Sequence, residues 1–222
     1  MADAITAIRA RVGPKGAVDD PEAQSAYLTE WRDRYRGAAR LIVRPADAGE
    51  VADVVRLCAE AALPITPQGG GTGLVGGQIP TGPEVLISLS RLNRIRALDP
   101  AANTATVEAG CILQSVQEAA READRLFPLS LASEGSAQIG GLISANAGGV
   151  AVLRYGTMRD LVLGIEAVLP DGRRWNGLSG LRKNNTGYDL KQLFIGAEGT
   201  LGLITAATLK LFPKPAERAV AL

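Results

Sequence analysis

Apolar residues recur along this chain at two spacings, and the change from one to the other divides it. Leu41-Ile42-Val43, closed by Arg44-Pro45, is a short apolar run that predicts a strand. Asp47 with Glu50 three residues on reads as a capping box opening a helix. In that helix Val51, Val54, Val55, Cys58, Ala61 and Ala62 recur at helical spacing and predict an apolar stripe laid on a sheet. Pro64-Ile65-Thr66-Pro67 returns as a strand, completing a compact βαβ unit, and Val85 to Leu89 supplies a third strand. Past Arg94 the pattern changes. Two strands between Ile95 and Ala109 flank the turn-rich Asp99-Pro100-Ala101-Ala102-Asn103, and Leu113, Val116, Ala120 and Ala123 form a second helical stripe. Leu161 to Leu169 and the alternating run from Ile204 to Phe212 predict strands of a mostly antiparallel sheet, with Asp171-Gly172 as a turn. The fold class expected is α+β in two lobes. A small parallel βαβ lobe covers about 38–93, a larger and mostly antiparallel α+β lobe covers about 94–215, and a helical segment over 1–37 precedes both.

Composition narrows the function. Hydrophobic residues make up 46% and charged residues 21%, as in a globular protein, and no apolar run is long enough to cross a bilayer. Met1 to Arg11 mixes Asp3 with two arginines and has no apolar signal core, so a cytoplasmic location is expected. A net charge of +1 with both signs interspersed, and only nine aromatic residues, offer no field or stacking surface for nucleic acid. The chain has no histidine. That removes Ser-His-Asp and Cys-His nucleophile systems, histidine metal sites and attachment of a flavin through histidine. Cys58 and Cys111 are too far apart in sequence for a CxxC pair and are read as buried and reduced; no metal site is expected.

Glycine is the outlier, with 26 residues concentrated in a few segments. The first is PQGGGTGLVGG, Pro67 to Gly77, with six glycines in eleven positions directly after a predicted strand. Without β-carbons, successive N–H groups can point into one concavity and bind phosphate oxygens, and left-handed backbone is expected there, at Gly73 in particular. The candidate binding residues are Pro67, Gly69, Gly70, Gly71, Thr72, Gly73, Leu74 and Gly76. Gly71 to Gly76 also satisfies GxGxxG, but the dinucleotide fingerprint needs a helix to start inside the motif. Pro80, Gly82 and Pro83 forbid it. A Walker A loop fails for want of its GK[ST] ending.

The second segment, EGSAQIGGLISANAGG from Glu134 to Gly149, places Gly135-Ser136, Gly140-Gly141 and Gly148-Gly149 around a short apolar stretch and reads as a second wall. Ser136 offers a hydroxyl to phosphate, and Asn146 can donate to a phosphate or a ring carbonyl. Ala137, Ala145 and Ala147 read as small packing residues. The third, from Arg182 to Thr205, carries Gly196, Glu198, Gly199 and Gly202 before the last strand. Glu198 can accept hydrogen bonds from an adenosine ribose or from loop N–H groups, and both readings stand. Lys183, Tyr188 and Asp189 belong to a charged loop leading into a short helix over Leu190 to Phe194.

Taken in order from Tyr35-Arg36-Gly37 to Pro215, the motifs PQGGGTGLVGG, EGSAQIGG, SANAGG, LRYG and GYDLKQLFIGAEGTLG resemble the FAD-binding (PCMH-type) domain of the vanillyl-alcohol oxidase and p-cresol methylhydroxylase superfamily. Within it they look most like the D-2-hydroxyacid dehydrogenases, such as D-lactate dehydrogenase, the glycolate oxidase FAD subunit and D-2-hydroxyglutarate dehydrogenase. The resemblance implies FAD extended between the two lobes, bound noncovalently given the absent histidine. It implies the pyrophosphate on Gly69 to Gly73, with Gly135, Ser136, Gly140 and Gly141 continuing the wall and Ile139, Glu198 and Ile204 along the cofactor. Asn146, Gly148, Gly149, Tyr155 and Gly156 would sit nearer the flavin ring; Ser144 and Gly202 fall in the same motifs. Two departures stand out: Gly71 where the family often has asparagine, and Ser144-Ala145-Asn146 where it often has Ser-Thr-Asn.

Members of this family continue past a point like Pro213-Lys214-Pro215 into a cap domain that carries the substrate residues, so 216–222 reads as the start of a linker to it. The implied reaction is oxidation of a D-2-hydroxy acid to a 2-oxo acid by hydride transfer to flavin N5. The partners implied are the small acid, through the cap domain, and an electron-acceptor protein. No catalytic residue is identified in this chain, which alone is expected not to turn over. A noncatalytic FAD-binding subunit or remnant needing a separate cap is the alternative, and a phosphate-binding module without flavin a third.

Overall fold

A computed structural model describes residues 2–217 and 219. Lobe one is built from α1 (Ala2–Val12), α2 (Pro21–Leu28), β1 (Leu41–Val43), α3 (Ala48–Glu60), β2 (Ile65–Gln68) and β3 (Val85–Ser88). Helix α2 begins where the Asp20 carboxylate accepts the Ala23 N–H and Pro21 occupies the first turn, which needs no donor there. Helix α3 begins at Asp47, whose carboxylate accepts the Glu50 N–H at 2.8 Å. The returning Glu50 carboxylate takes the Ala46 N–H at 2.7 Å rather than that of Asp47, so the box closes one residue early.

The α3 stripe of Val51, Val54, Val55 and Cys58 is buried, each valine contributing at most ~1.5–3 kcal/mol. Ala61 caps the helix and still packs, partly buried, against the same core, while Ala62 is exposed at φ 51°, so the stripe ends one residue short of its predicted extent. The strands are all parallel, in the order β1-β3-β2. Thus β3 fills the place between the two strands of the βαβ unit. Ile8 and Val12 of α1 join the core of this lobe, which makes the N-terminal helix a layer of lobe one rather than a separate segment.

Lobe two follows with β4 (Ile95–Asp99), β5 (Thr104–Glu108), α4 (Leu113–Glu122), β6 (Arg125–Leu126), α5 (Ile139–Ser144), α6 (Val152–Tyr155), α7 (Met158–Leu161), β7 (Val162–Val168), β8 (Arg174–Asn176), α8 (Lys191–Phe194), β9 (Leu203–Lys210) and β10 (Phe212–Pro213). Its main sheet is antiparallel, in the order β4-β5-β9-β7-β8. Central strand β9 is buried along nearly its whole length because it is covered on two sides. Ile204, Ala207 and Leu209 face the core built with α4 and α5, while Leu203 and, on β7, Val168 join the core of lobe one. In α4, Leu113, Val116 and Ala120 are buried as predicted, and Ala123 is the cap.

One buried carboxylate ties this sheet together. Glu108 accepts the Arg94 Nη2 at 2.8 Å, the Arg94 N–H at 2.9 Å and the Arg96 Nε at 3.2 Å. Arg96 then reaches Glu166 at 3.1 Å, and Glu166 accepts the Thr205 hydroxyl at 2.8 Å, linking β4, β5, β7 and β9. Burial raises the Glu108 pKa, but the bonds from Arg94 and Arg96 outweigh it and hold the carboxyl below its ordinary value. The linker expected over 216–222 lies largely outside the described residues.

Candidate functional site

Three segments converge between the lobes. The end of β2 delivers the loop from Gly69, the chain enters α5 at Ile139, and the turn before β9 brings in Glu198 to Leu203. They enclose a cavity of about 330 Å³, within the size range of small-molecule sites. No helix starts within the first loop. Its shape is held instead by two glutamines. Gln68 donates to the Tyr27 carbonyl at 2.9 Å and to that of Gln78 at 3.0 Å, and Gln78 donates to the Gly73 carbonyl at 2.9 Å.

Left-handed backbone occurs at Gly71, φ 69°, and Gly76, φ 81°. Gly73 does not adopt it, contrary to expectation; there a β-carbon would stand 2.9 Å from the Gln78 Oε1, so the Gln78 amide would have to shift. Among the described residues, none of the backbone N–H groups from Gly69 to Gly77 donates to another protein group. A row of unspent donors on a glycine-rich loop is what an anion nest requires, and no lysine or arginine lines the cavity.

The glycines fall into two kinds. At Gly70 a β-carbon would collide with the Ser136 carbonyl, at Gly149 with that of Ser130, at Gly199 with the Pro67 ring and at Gly156 with the Asp160 carboxylate. At Gly140 it would lie 2.7 Å from the Ala109 Cβ. These glycines let protein pack on protein. Gly71 and Gly141 differ: nothing lies within 4 Å of a β-carbon at Gly71, and only the Gly69 Cα, at 3.9 Å, meets one at Gly141. There the backbone is bare toward open space, and a bound group can reach it.

Of the residues singled out in sequence, Pro67, Gly69, Gly70, Gly71, Thr72, Gly73, Gly140, Gly141, Ser144, Glu198, Gly202 and Ile204 line this cavity. Gly199 and the alanines read as packing residues, Ala137, Ala145 and Ala147, line it too, whereas the other residues assigned to the cofactor lie off it. Leu74 is exposed, and its carbonyl accepts from Arg32 at 2.6 Å. Gly76 lies against the Tyr35 ring. Gly135 and Ser136 are exposed beyond the wall, where the Ser136 carbonyl supports Gly70. Ile139 is wholly buried in the lobe-two core. The Asn146 Oδ1 is spent on the Arg159 N–H at 3.0 Å. Gly148 stands against Val152 and Thr157, Gly149 against Ser130, and Gly156 against Asp160. Tyr155 meets Phe212 edge to face at 4.8 Å.

Lining residues that the sequence did not disclose include Gln78, Ala109, Leu131, Gln138 and Leu203. Gln138 had a signal, an amide inside an apolar and glycine run; its Oε1 is buried without a hydrogen-bond partner. Glu198, at φ 52°, is anchored by its N–H on the Ser144 carbonyl at 2.9 Å, and its carboxylate faces Gly77. Among the described residues no N–H of the glycine loop donates to that carboxylate, which leaves it open to a ligand hydroxyl. Cys58 and Cys111 are free and buried, with thiols pushed up to about 11 by desolvation. Among the described residues, no group of three or more potential metal ligands occurs, and no helix is long and apolar enough to cross a membrane.

Comparisons with known proteins meet this geometry. D-2-hydroxyglutarate dehydrogenase, mitochondrial, of Bos taurus is 44% identical over 205 residues, covering 92% of this chain and 38% of the relative. D-2-hydroxyglutarate–pyruvate transhydrogenase of Saccharomyces cerevisiae is 41% identical over 195 residues, 88% of this chain and 39% of the relative. The chain therefore spans about 38% of the length of the curated relatives it matches. A solved alkyldihydroxyacetonephosphate synthase superposes with a TM-score of 0.84 at 25% identity, over 98% of this chain and 45% of that one. The cytoplasmic expectation is corrected by these names, since the Bos taurus relative and its namesakes from Danio rerio and Arabidopsis thaliana are mitochondrial. Absence of an apolar export signal bears on secretion only, which is why it misled. The family described as FAD binding domain matches residues 39–176, well over half of the chain, and the protein belongs to it.

Proposed function

We propose that this chain is the FAD-binding part of a flavin-dependent dehydrogenase that oxidises a D-2-hydroxy acid to the 2-oxo acid. The observation that carries the reading is the row of unspent N–H groups from Gly69 to Gly73 on a loop that lines the cavity together with Gly141. Gly69 to Gly73 would hold the pyrophosphate without a cationic side chain, and Glu198 would accept from a ribose hydroxyl. Gly141, Ser144 and Ile204 would form the opposite wall. FAD, when bound, supplies the two-electron acceptor for the hydroxy-bearing carbon. This chain's own part is to hold and orient that group between lobes of about 38–93 and 94–215. Binding is noncovalent, since no histidine is present and both thiols are buried.

The residues that bind and deprotonate the acid are assigned to a substrate domain within the part of the relatives that this chain does not span, reached through a linker beginning near residue 216. The names of the relatives support the substrate class, and an electron-acceptor protein completes the cycle. Two measurements test the reading. Acid precipitation of FAD-loaded protein should leave the yellow colour in the supernatant; colour fixed in the washed pellet refutes noncovalent binding. A chimera carrying this chain in place of the matching part of the Bos taurus relative should reduce a dye with D-2-hydroxyglutarate and not with the L enantiomer. A chimera that holds FAD and reacts with neither sinks the dehydrogenase reading.

A further inference from the structure

A glycine-rich loop is costly to order, because glycine gives up more backbone freedom than any other residue. Something outside the loop must offset that cost if the N–H row is to stand ready. In this protein the outer edge of the loop is gripped by the segment between α2 and β1. Thr29 pairs with Arg36 in an antiparallel bridge, the Glu30 N–H donates to the Tyr35 carbonyl at 2.9 Å, and the Gly37 N–H donates to the Leu28 carbonyl at 2.8 Å. The result is a short hairpin.

Its turn is organised around Glu30, whose side chain is fully buried. That carboxylate accepts the Arg32 Nε at 3.0 Å, the Arg32 N–H at 3.1 Å and the Arg34 N–H at 3.3 Å. With Nε fixed on Glu30, the Arg32 guanidinium has one orientation, and its Nη2 donates to the Leu74 carbonyl at 2.6 Å. Two residues further along the loop, Gly76 lies on the face of the Tyr35 ring; a β-carbon there would stand 3.0 Å from the ring Cγ and Cδ2. The base of the hairpin holds the return of the loop as well. Gly37 sits where any side chain would strike the Pro80 carbonyl, and the Ala38 N–H donates to that carbonyl at 3.2 Å.

We propose that the hairpin from Thr29 to Arg36 is a clamp that sets the glycine loop in its dinucleotide-binding shape, with Arg32 and Tyr35 as positioning residues. It touches the loop at Leu74 and Gly76, which do not line the cavity, so it acts through the loop rather than on the ligand. The inference rests on the FAD-binding reading. Arginine is required at 32 because one planar fork serves Glu30 and Leu74 together, which a lysine ammonium cannot do. At 35 only the ring is required, since it is the ring face that meets Gly76.

The test uses the full chain and five proteins: parent, Tyr35→Ala, Tyr35→Phe, Arg32→Ala and Arg32→Lys. The readouts are FAD Kd by flavin fluorescence, apo melting temperature, protease cleavage within residues 69–77 in the apo form, and hydrogen exchange at the bonded amides of lobe one. Expected are a tenfold or larger rise in Kd for Tyr35→Ala, Arg32→Ala and Arg32→Lys, with faster cleavage confined to the loop and lobe-one exchange unchanged. Tyr35→Phe should restore parental affinity. Variants that bind within twofold of a parent that itself binds FAD overturn the clamp and leave the cofactor reading standing, whereas a parent that binds no FAD overturns both. A loss of affinity matched by exchange throughout lobe one also overturns it, since the hairpin then serves only the fold. Should Tyr35→Ala or Arg32→Ala fail to fold, Tyr35→Phe and Arg32→Lys alone decide: affinity kept by the first and lost by the second supports the clamp, and any other pair of results refutes it.

Discussion

Gly141→Ala separates ligand approach from folding with one methyl group. Gly141 is the third residue of α5, so alanine removes the entropy cost that glycine carries inside a helix, about 0.5–1 kcal/mol. The new Cβ meets only the Gly69 Cα, at 3.9 Å, an ordinary van der Waals distance. The apo protein should therefore gain stability. At roughly 2–4 °C per kcal/mol for a chain of this size, its melting temperature should rise by about 1–4 °C. The same methyl projects beside Gly69 from the cavity wall, where bound FAD would lie against Gly141. An extra methyl in a close-packed contact costs ~1–3 kcal/mol, which is about a 5- to 150-fold rise in Kd. Its neighbour is the control. At Gly140 the added Cβ lies 2.7 Å from the Ala109 Cβ and 3.2 Å from the Ala109 carbonyl oxygen, so Gly140→Ala must push α5 off the chain beyond β5 and lower the melting temperature. Calorimetry on the apo protein and fluorescence titration with FAD measure both effects. Gly141→Ala with a raised melting temperature and a parental FAD titration would show that the cofactor does not pass this residue.

Other outcomes follow from the same geometry. Glu108→Gln leaves Arg94 and Arg96 without their shared carboxylate and should cost up to about 3 kcal/mol, the low end for a buried pair because Arg94 is 71% exposed and screened; thermal denaturation checks it. Because the fold lowers the Glu108 pKa, its contribution is present above the unfolded value near ~4.3 and is lost as pH falls through the folded value; in Glu108→Gln that acid-side dependence should shrink. Cys58 and Cys111, raised to about 11, should resist a thiol reagent at pH 8 until the protein unfolds, and their stabilising contribution, present below the unfolded thiol value, should be lost as pH rises through 11. FAD-loaded protein should not be bleached anaerobically by D- or L-2-hydroxy acids while dithionite bleaches it, because holding the substrate carbon and a base near the flavin is assigned to a domain outside this chain. Fast, saturable bleaching by one enantiomer would place a substrate site here.

The elements were legible where a single face is buried. The α3 and α4 stripes follow directly from periodicity, because each packs one side on a sheet, and the hairpin of β4 and β5 follows from its turn residues. Strand order was not legible: nothing local in Val85 to Ser88 says that it lies between β1 and β2, a choice made by packing at long range. Nor was the membership of α1 in lobe one, since Ile8 and Val12 acquire partners only when α3 is in place.

The candidate site was legible as a set of segments and not as a set of roles. Spacing showed the loops that meet, but of the residues drawn toward the ligand by motif Ile139 is buried in the lobe-two core, the Asn146 Oδ1 accepts from the Arg159 N–H and the Tyr155 ring packs on Phe212. A glycine in a sequence reports only that a side chain is unwelcome, not whether protein or ligand excludes it. Gly70 answers to Ser136 and Gly140 to Ala109, whereas a β-carbon on Gly141 would meet only the Gly69 Cα, at 3.9 Å. Gly69 and Gly141 in turn face each other, with a β-carbon on Gly69 standing 3.4 Å from the Gly141 Cα. The two loops therefore meet at Gly69 and Gly141, and the inner glycines fix how closely they approach. A substitution at Gly70 or Gly140 should weaken binding by moving a wall, and one at Gly141 by adding bulk to the wall. Only the first should also destabilise the empty protein.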